Sequence, residues 1–262
     1  MPAELPKNLF KARLLTDSCQ FGSWSVLGCP VSTEILGLAG FDFIIFDTEH
    51  GPADPYRTML QLQALAGTST AACVRIAAND AVLAKKALDI GAQTLIVPQV
   101  DSAADARRAI ASTLFPPAGI RGVSTTARAG RYGAIPEFHR RADDEICVVV
   151  IIESAAALRA LPEILAVKGV DALLIGPQDL AADLGYLANP KAPAVMEAIG
   201  QAIALICAEG KSPGIAVGTE ADVAYWQDRG AKFVTCGSDV ALLARGAEAL
   251  AQRLCEGSPE RN

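Results

Sequence analysis

Asp47, Glu49 and His50 lie within four consecutive positions, directly after the apolar run Ile44-Ile45-Phe46. A histidine here suits general-base work, because its reference pKa lies near neutrality. The same cluster also has the make-up of one that caps a helix or ties down a loop, a reading that fits Glu49 better than His50. Arg75 closes another apolar run after Val74. An arginine so placed can clamp a carboxylate through two parallel hydrogen bonds or stabilise a developing enolate. It can equally form a structural ion pair with Asp47 or Glu49, and the residue types leave both open. Glu153 follows Cys147-Val148-Val149-Val150-Ile151-Ile152, and Gly176-Pro177-Gln178-Asp179 follows Leu173-Leu174-Ile175. On neighbouring parallel strands, about 4.8 Å apart, the two carboxylates could share one ion. With no His or Cys beside them, an all-oxygen site suits Mg²⁺ or Mn²⁺ and leaves positions for a chelating 2-oxo acid and water. The alternative is that Asp179 caps the helix that follows.

For these groups to meet, the apolar runs must be strands of one sheet. Runs rich in Val, Ile, Leu and Phe occupy 22–27, 41–46, 71–76, 94–98, 146–152, 172–175, 214–217 and 233–235. Their near-continuous hydrophobicity suits parallel strands buried on both faces. Segments of helical period lie between them at 32–39, 55–66, 81–89, 103–113, 155–167, 193–209, 220–229 and 238–254. Eight β-then-α units in succession predict an α/β protein with a single-domain (β/α)₈ TIM barrel over residues 1–262. Chemistry in such a barrel belongs at the C-terminal ends of strands, where every group above falls. One segment breaks the rhythm: residues 115–145 contain Pro116, Pro117, Gly119, Gly122, Gly130 and Gly133. A connection this long is usually functional, and part of it is expected to reach the catalytic face. The tail after Leu254 is expected to fray.

Lysine positions test a different chemistry. A Schiff-base aldolase on this fold needs a lysine reaching the mouth from a strand. Lys211 and Lys232 precede the last two strands, and Lys85 and Lys86 fall on a helix, so no imine is expected and a Lewis-acidic metal is the better stabiliser. The composition narrows the field further. A chain of 262 residues, 51% of them apolar, can bury a sizeable core. The net charge of −6 argues against nucleic acid as a partner. No apolar run approaches the roughly 20 residues of a membrane span, and the first ten residues lack a signal-peptide pattern. A cytoplasmic protein is expected. The seven cysteines are scattered, with no C-x-x-C pair, and read as buried free thiols.

Taken in order along the chain, these residues resemble a known family. The carriers are Gly22-Ser23-Trp24, Phe46-Asp47-Thr48-Glu49-His50, Val74-Arg75 with Asn79-Asp80, and Phe115-Pro116-Pro117-Ala118-Gly119-Ile120-Arg121-Gly122. They continue with Ile152-Glu153, Gly176-Pro177-Gln178-Asp179-Leu180, Asp183-Leu184-Gly185 and Leu242-Leu243-Ala244-Arg245. In this order and spacing, over nearly the whole chain, the sequence resembles the HpcH/HpaI family of class II pyruvate aldolases. The resemblance implies reversible retro-aldol cleavage of a 4-hydroxy-2-oxo acid to pyruvate and an aldehyde, through a metal-bound pyruvate enolate. It implies that Glu153 and Asp179 hold the divalent metal (Mg²⁺, Mn²⁺ or Co²⁺) and that Arg75 stabilises the enolate. It further implies that His50, helped by an aspartate matching Asp89, moves protons through a water. The backbone at Gly176 and Pro177 would receive the pyruvate carboxylate, and Trp24 would line the entrance.

Asp89 ends a helix just before the fourth strand, at the bottom of a barrel whose His50 is at the top. Either the dyad forms between subunits, which implies a homo-oligomer of the hexameric kind common in the family, or Asp89 is an ordinary helix-end residue. Two positions depart from the family pattern. Ile151 stands where a Gln is frequent, on the same strand face as Glu153, and Gln178 stands where many members have Ala. Both bear on substrate choice. Two other functions remain in view: a CoA-ester lyase of the related citrate-lyase β type, for which the chain offers no basic surface, and a catalytically silent 2-oxo-acid-binding barrel.

Overall fold

The computed structural model describes residues 3–256, and the expected fraying of the last residues, 257–262, lies outside that range. The strands are β1 (Gln20–Ser25), β2 (Phe43–Asp47), β3 (Ala71–Arg75), β4 (Thr94–Val97), β5 (Cys147–Ile152), β6 (Ala172–Ile175), β7 (Ser212–Val217) and β8 (Phe233–Ser238). All eight are parallel, pair in sequence order and close on themselves through β1 and β8. The helices are α1 (Leu9–Leu14), α2 (Pro30–Leu38), α3 (Pro55–Leu65), α4 (Ala81–Asp89), α5 (Ala103–Thr113), the short α6 (Phe138–Arg141), α7 (Ala155–Arg159), α8 (Leu161–Leu165), α9 (Pro177–Asp183), α10 (Pro193–Ala208), α11 (Glu220–Gln227) and α12 (Asp239–Glu256). The expected (β/α)₈ barrel is therefore present. No helix among the described residues is long and apolar enough to cross a membrane.

Alternation along the strands divides the core in two. One set of side chains packs outward against the helices, including Ile44, Phe46, Val74, Leu95, Val148, Val150, Leu173 and Ile175. The other fills the lumen: Phe43, Ile45, Cys73, Ile96, Cys147, Val149, Ile151, Leu174 and Phe233. The floor of the lumen is closed by Phe10 of α1, whose ring meets Phe43 edge-on at 5.0 Å and Phe233 at 5.3 Å. Burying such a ring fully stabilises the fold by about 1.5–3 kcal/mol. Gly22 and Gly214 make room for the other two rings, since a Cβ there would lie 2.5 Å from the Phe43 ring and 2.1 Å from the Phe233 ring. Asn8 locks α1 in place. It caps the helix through Lys11 N and donates Nδ2 to Thr94 Oγ1 and to the Glu145 carbonyl, both at 3.0 Å.

Several expectations need correction. The segment 155–167 is two short helices, because Pro162 removes a backbone donor and a new first turn starts at Leu161. Helices α1 and α9 were not expected. All seven cysteines are free, but only Cys73 and Cys147 are buried, and Cys207 and Cys255 are exposed. Residues 115–145 stay at the N-terminal end of their own barrel instead of reaching the mouth. They fold over a small core of Phe115, Ile135, Phe138 and Ala142, and their end is tied to α1 by Asn8 N donating to Glu145 Oε2 at 2.8 Å. Helix α12 continues through Glu256, beyond the expected fraying point.

Candidate active site at the mouth of the barrel

The lumen alternation carries Phe43 and Ile45 on to Asp47, Cys73 on to Arg75, and Ile151 on to Glu153. The register places Asp47 directly beside Arg75. Asp47, 3% exposed in its side chain, accepts Arg75 Nε at 3.1 Å on one oxygen and Arg75 NH2 at 2.7 Å on the other. The same Oδ1 also accepts the backbone N–H groups of Glu49 and His50, each at 3.1 Å. Asp47 thus ties down the loop, which leaves the side chains of Glu49 and His50 for other work. Glu49 Oε2 lies 3.0 Å from Arg75 NH1. Arg75 therefore pairs with both carboxylates the sequence offers it, and its two hydrogen bonds to Asp47 use two of the five N–H groups a guanidinium carries. The guanidinium carbon stands 4.5 Å over the Trp24 ring, and Trp24 Nε1 donates to Thr235 Oγ1 at 2.9 Å.

Glu153 directly follows β5, and Asp179 lies in α9, which follows the adjacent strand β6. Asp179 does not cap α9: Gly176 is the N-cap and Asp179 lies in the first turn. Glu153 Oε1 accepts the backbone N–H of Gln99 at 2.8 Å. Gln99 adopts a left-handed backbone with φ 56° to deliver it, a conformation costing about 1–3 kcal/mol that persists where the surroundings over-determine it. Burial above all pushes the Glu153 carboxyl up, and the charges of Asp179 and Glu49 push it further, against Gln99 N–H and Arg75. Glu49 is raised chiefly by burial as well, with Asp47 and Asp179 adding to the rise against Arg75 and His50. Three carboxylates thus repel one another around one spot.

This chemistry fits a divalent cation. Hard carboxylate oxygens suit Mg²⁺ or Mn²⁺, which keep several positions for water or substrate. A cradle exists beside Glu153: a Cβ on Gly176 would stand 3.1 Å from Glu153 Cβ and 3.2 Å from Glu153 Oε2. Among the described residues, no group of three or more His, Cys, Asp and Glu side chains could hold a metal, so a cation here would share its shell with non-protein oxygens. Ile151, 2% exposed, lies beneath Glu153, and its Cγ2 would be 3.3 Å from that same Cβ. Gln178 is exposed at the rim beside Asp179.

His50 is exposed at the mouth. Asp89 is at the other end of the barrel, on the last turn of α4, where its Oδ1 accepts Arg121 NH2 at 3.2 Å. The two do not meet within one chain. Lys211 and Lys232 also lie at the N-terminal end, Lys211 Nζ on the Val170 carbonyl at 2.6 Å and Lys232 beside Asp17 at 3.8 Å. One contributor has no signal in the sequence: Gln99 acts through its backbone N–H, which no side-chain pattern reveals. The Asp47–Arg75 pair is among the partners the residue types allow.

The arrangement of Arg75 between Asp47, Glu49 and the carboxylates of β5 and α9 can now be set beside known proteins. The sequence profile of the HpcH/HpaI aldolase/citrate lyase family matches residues 20–246. The chain belongs to this family. It is 47% identical over 248 residues to a 4-hydroxy-2-oxo-heptane-1,7-dioate aldolase of Escherichia coli, covering 94% of this chain and 95% of that one. A solved HpcH/HpaI aldolase/citrate lyase family protein from Burkholderia cenocepacia J2315 superposes with a TM-score of 0.92 at 34% identity, covering 95% of this chain and 99% of that one. An HpcH/HpaI aldolase from Desulfitobacterium hafniense DCB-2 gives 0.86 at 26% identity, covering 99% of this chain and 100% of that one. Membership places the protein among carbon–carbon lyases of the aldolase type.

Proposed function

We propose that this family member cleaves a 4-hydroxy-2-oxo acid reversibly to pyruvate and an aldehyde, with 4-hydroxy-2-oxo-heptane-1,7-dioate the first substrate to test. One observation carries the reading. Arg75, held by two hydrogen bonds to Asp47 and an ion pair with Glu49, keeps N–H donors without a hydrogen-bond partner beside the Glu153–Asp179 pair. In the cleavage direction, His50 takes the proton of the C4 hydroxyl through a water. The C3–C4 bond breaks, its electron pair passes into a pyruvate enolate, and the aldehyde leaves. Protonation at C3 then completes pyruvate. The free N–H groups of Arg75 face the negative charge that develops on oxygen, where preorganised donors act most strongly.

Glu153 and Asp179 would hold Mg²⁺, Mn²⁺ or Co²⁺, which when bound supplies Lewis-acid stabilisation of the enolate charge. No side chain caps α9, so backbone N–H groups of its first turn, after Gly176 and Pro177, are open to the pyruvate carboxylate. Trp24 lines the entrance. Gln178 and Ile151 border the pyruvate end and bear on substrate preference. No imine is invoked, since Lys211 and Lys232 are at the opposite end of the barrel.

Asp89 completes the proton relay with His50 of a neighbouring copy, so the working unit is a homo-oligomer, a hexamer by the family resemblance. Two surfaces support this. Val240, Leu242, Leu243, Leu250 and Leu254 of α12 are exposed, as are Val31, Ile35 and Leu38 of α2. We place the protein in the cytoplasm, acting on small molecules, without nucleic acid or membrane.

The test is pyruvate release from a panel of 4-hydroxy-2-oxo acids, with EDTA and then with Mg²⁺, Mn²⁺ or Co²⁺ added back. Turnover is expected to vanish with EDTA and return with metal. Full activity in protein verified to be metal-free overturns the role of Glu153 and Asp179, and cleavage of acyl-CoA esters without pyruvate release overturns the aldol reading.

A further inference from the structure

Asp89 is an acidic residue at the last position of α4, where the helix dipole disfavours negative charge. Its ion-pair partner, Arg121, is oddly placed for a surface bridge. The Arg121 side chain is 1% exposed, whereas Asp89 is 29% exposed. The guanidinium lies 4.4 Å from the Phe115 ring centre, and its Nε and NH1 have no hydrogen-bond partner. Desolvation pulls against its charge, and Asp89 and Asp143 sustain it. A buried cation with two nitrogens unsatisfied is a poor way to stabilise a fold, and an apolar side chain of similar volume serves better there. What the arrangement provides is a fixed carboxylate. Arg121 is itself fixed by the turn that carries it, with Arg121 N donating to the Leu114 carbonyl at 2.9 Å and Ile120 N to the Ala111 carbonyl at 2.8 Å. Its neighbours Ile120 and Val123 are 64% and 63% exposed, so the charge is presented amid apolar surface.

We propose that Arg121 is a positioning residue for the reaction: it holds Asp89 by one oxygen and presents the other, still anionic, to His50 of a neighbouring copy. This rests on the reading that His50 and Asp89 meet between subunits. The two ideas separate because Arg121 must act on the chain that donates Asp89, not on the chain that donates His50.

The experiment uses mixed assemblies of full-length chains, co-expressed with two different tags and purified through both. A His50→Ala chain and an Asp89→Asn chain are each expected to be inactive alone. Together they regain up to about a quarter of wild-type activity under random assembly, through sites that take His50 from one chain and Asp89 from the other. Arg121→Gln is then added to one chain at a time. On the His50→Ala chain, which donates Asp89, it lowers the regained kcat on the order of 10- to 100-fold with KM little changed. On the Asp89→Asn chain it costs nothing further. Arg121→Lys on the donor chain restores part of the loss, because one cationic donor to Asp89 survives. Failure of the first mixture, with both chains folded and assembled, overturns the shared site and the proposal with it. Regained activity that is indifferent to Arg121→Gln on the donor chain overturns the role of Arg121 alone. Equal loss from either chain marks a folding effect and overturns it too.

Discussion

Arg75 and Arg121 stand at opposite ends of the same barrel and are built from the same parts. Each pairs with an aspartate and each lies over an aromatic ring, Trp24 at 4.5 Å and Phe115 at 4.4 Å. They differ in which partner is buried. At the mouth the aspartate is sealed, with Asp47 3% exposed and both its oxygens occupied, while Arg75 keeps donors to spare. At the floor the arginine is sealed and the aspartate faces outward. The sealed member of such a pair is the scaffold and the open member is what a ligand or a neighbour meets. Chemistry is thus offered as free N–H donors at one end and as a free carboxylate oxygen at the other.

The largest expected effect comes from breaking the pair at the mouth. Arg75→Met strands the buried Asp47 charge and is expected to cost about 3–5 kcal/mol in denaturant unfolding. It should also lower kcat/KM on the order of 10³-fold. A variant that unfolds normally yet loses turnover would show that Asp47 finds other partners. Next in size is Glu153→Gln, which probes the charge that Arg75 faces. The Glu153 carboxyl is raised above its ordinary value of 4.5 mainly by burial. The folded chain then holds a proton that the unfolded chain releases, so the charge weakens the fold as pH rises above that value. Glu153→Gln is expected to raise the melting temperature of metal-free protein at neutral pH and to have no effect below pH 4.5. It should also abolish the rise in melting temperature that Mg²⁺ gives the wild type. In the wild type, that rise should shrink on acidification before pH 4.5 is reached, because protonation competes with the cation.

The floor should respond more mildly. Arg121→Met removes two unsatisfied nitrogens and leaves Asp89 to water but takes a compensating charge from Asp143, so unfolding free energy should fall by less than for Arg75→Met. A loss as large as that of Arg75→Met would erase the distinction between the two ends. Trp24→Phe keeps a ring under Arg75 but removes the Nε1–H donor to Thr235. About 0.5–1.5 kcal/mol of stability should go with that hydrogen bond, and KM should change more than kcat.

The barrel was legible because strand and helix periods differ and each of the eight units repeats the contrast. What escaped was structure set by distant partners. Helix α1 is six residues long, and its place depends on Phe10 entering the lumen and on Asn8 reaching Thr94 and Glu145. Helix α9 hid behind Gly176-Pro177, which reads as a turn, although proline at a first helical position is also a start signal. At the mouth, the meeting of Glu153 with Asp179 was readable because alternation and register decide which strand ends adjoin. The residue types offered an ion pair of Arg75 with Asp47 or Glu49 and a loop-tying cluster, but only coordinates show that Arg75 meets both carboxylates and that Gln99 makes a left-handed turn. The pairing of Arg121 with Asp89 joins positions 32 apart through a chain reversal that no period predicts.

The aromatic plug has a bearing on how the protein is made. Of its three rings, Phe10 leaves the ribosome first and Phe233 near the end of a 262-residue chain. At roughly 5–20 residues per second, Phe10 waits on the order of ten seconds or more for its last neighbour. Until then the lumen is open at its base and β1 lacks β8. The floor is therefore sealed only once β8 has been made, and a nascent chain that stalls before that strand exposes its own core.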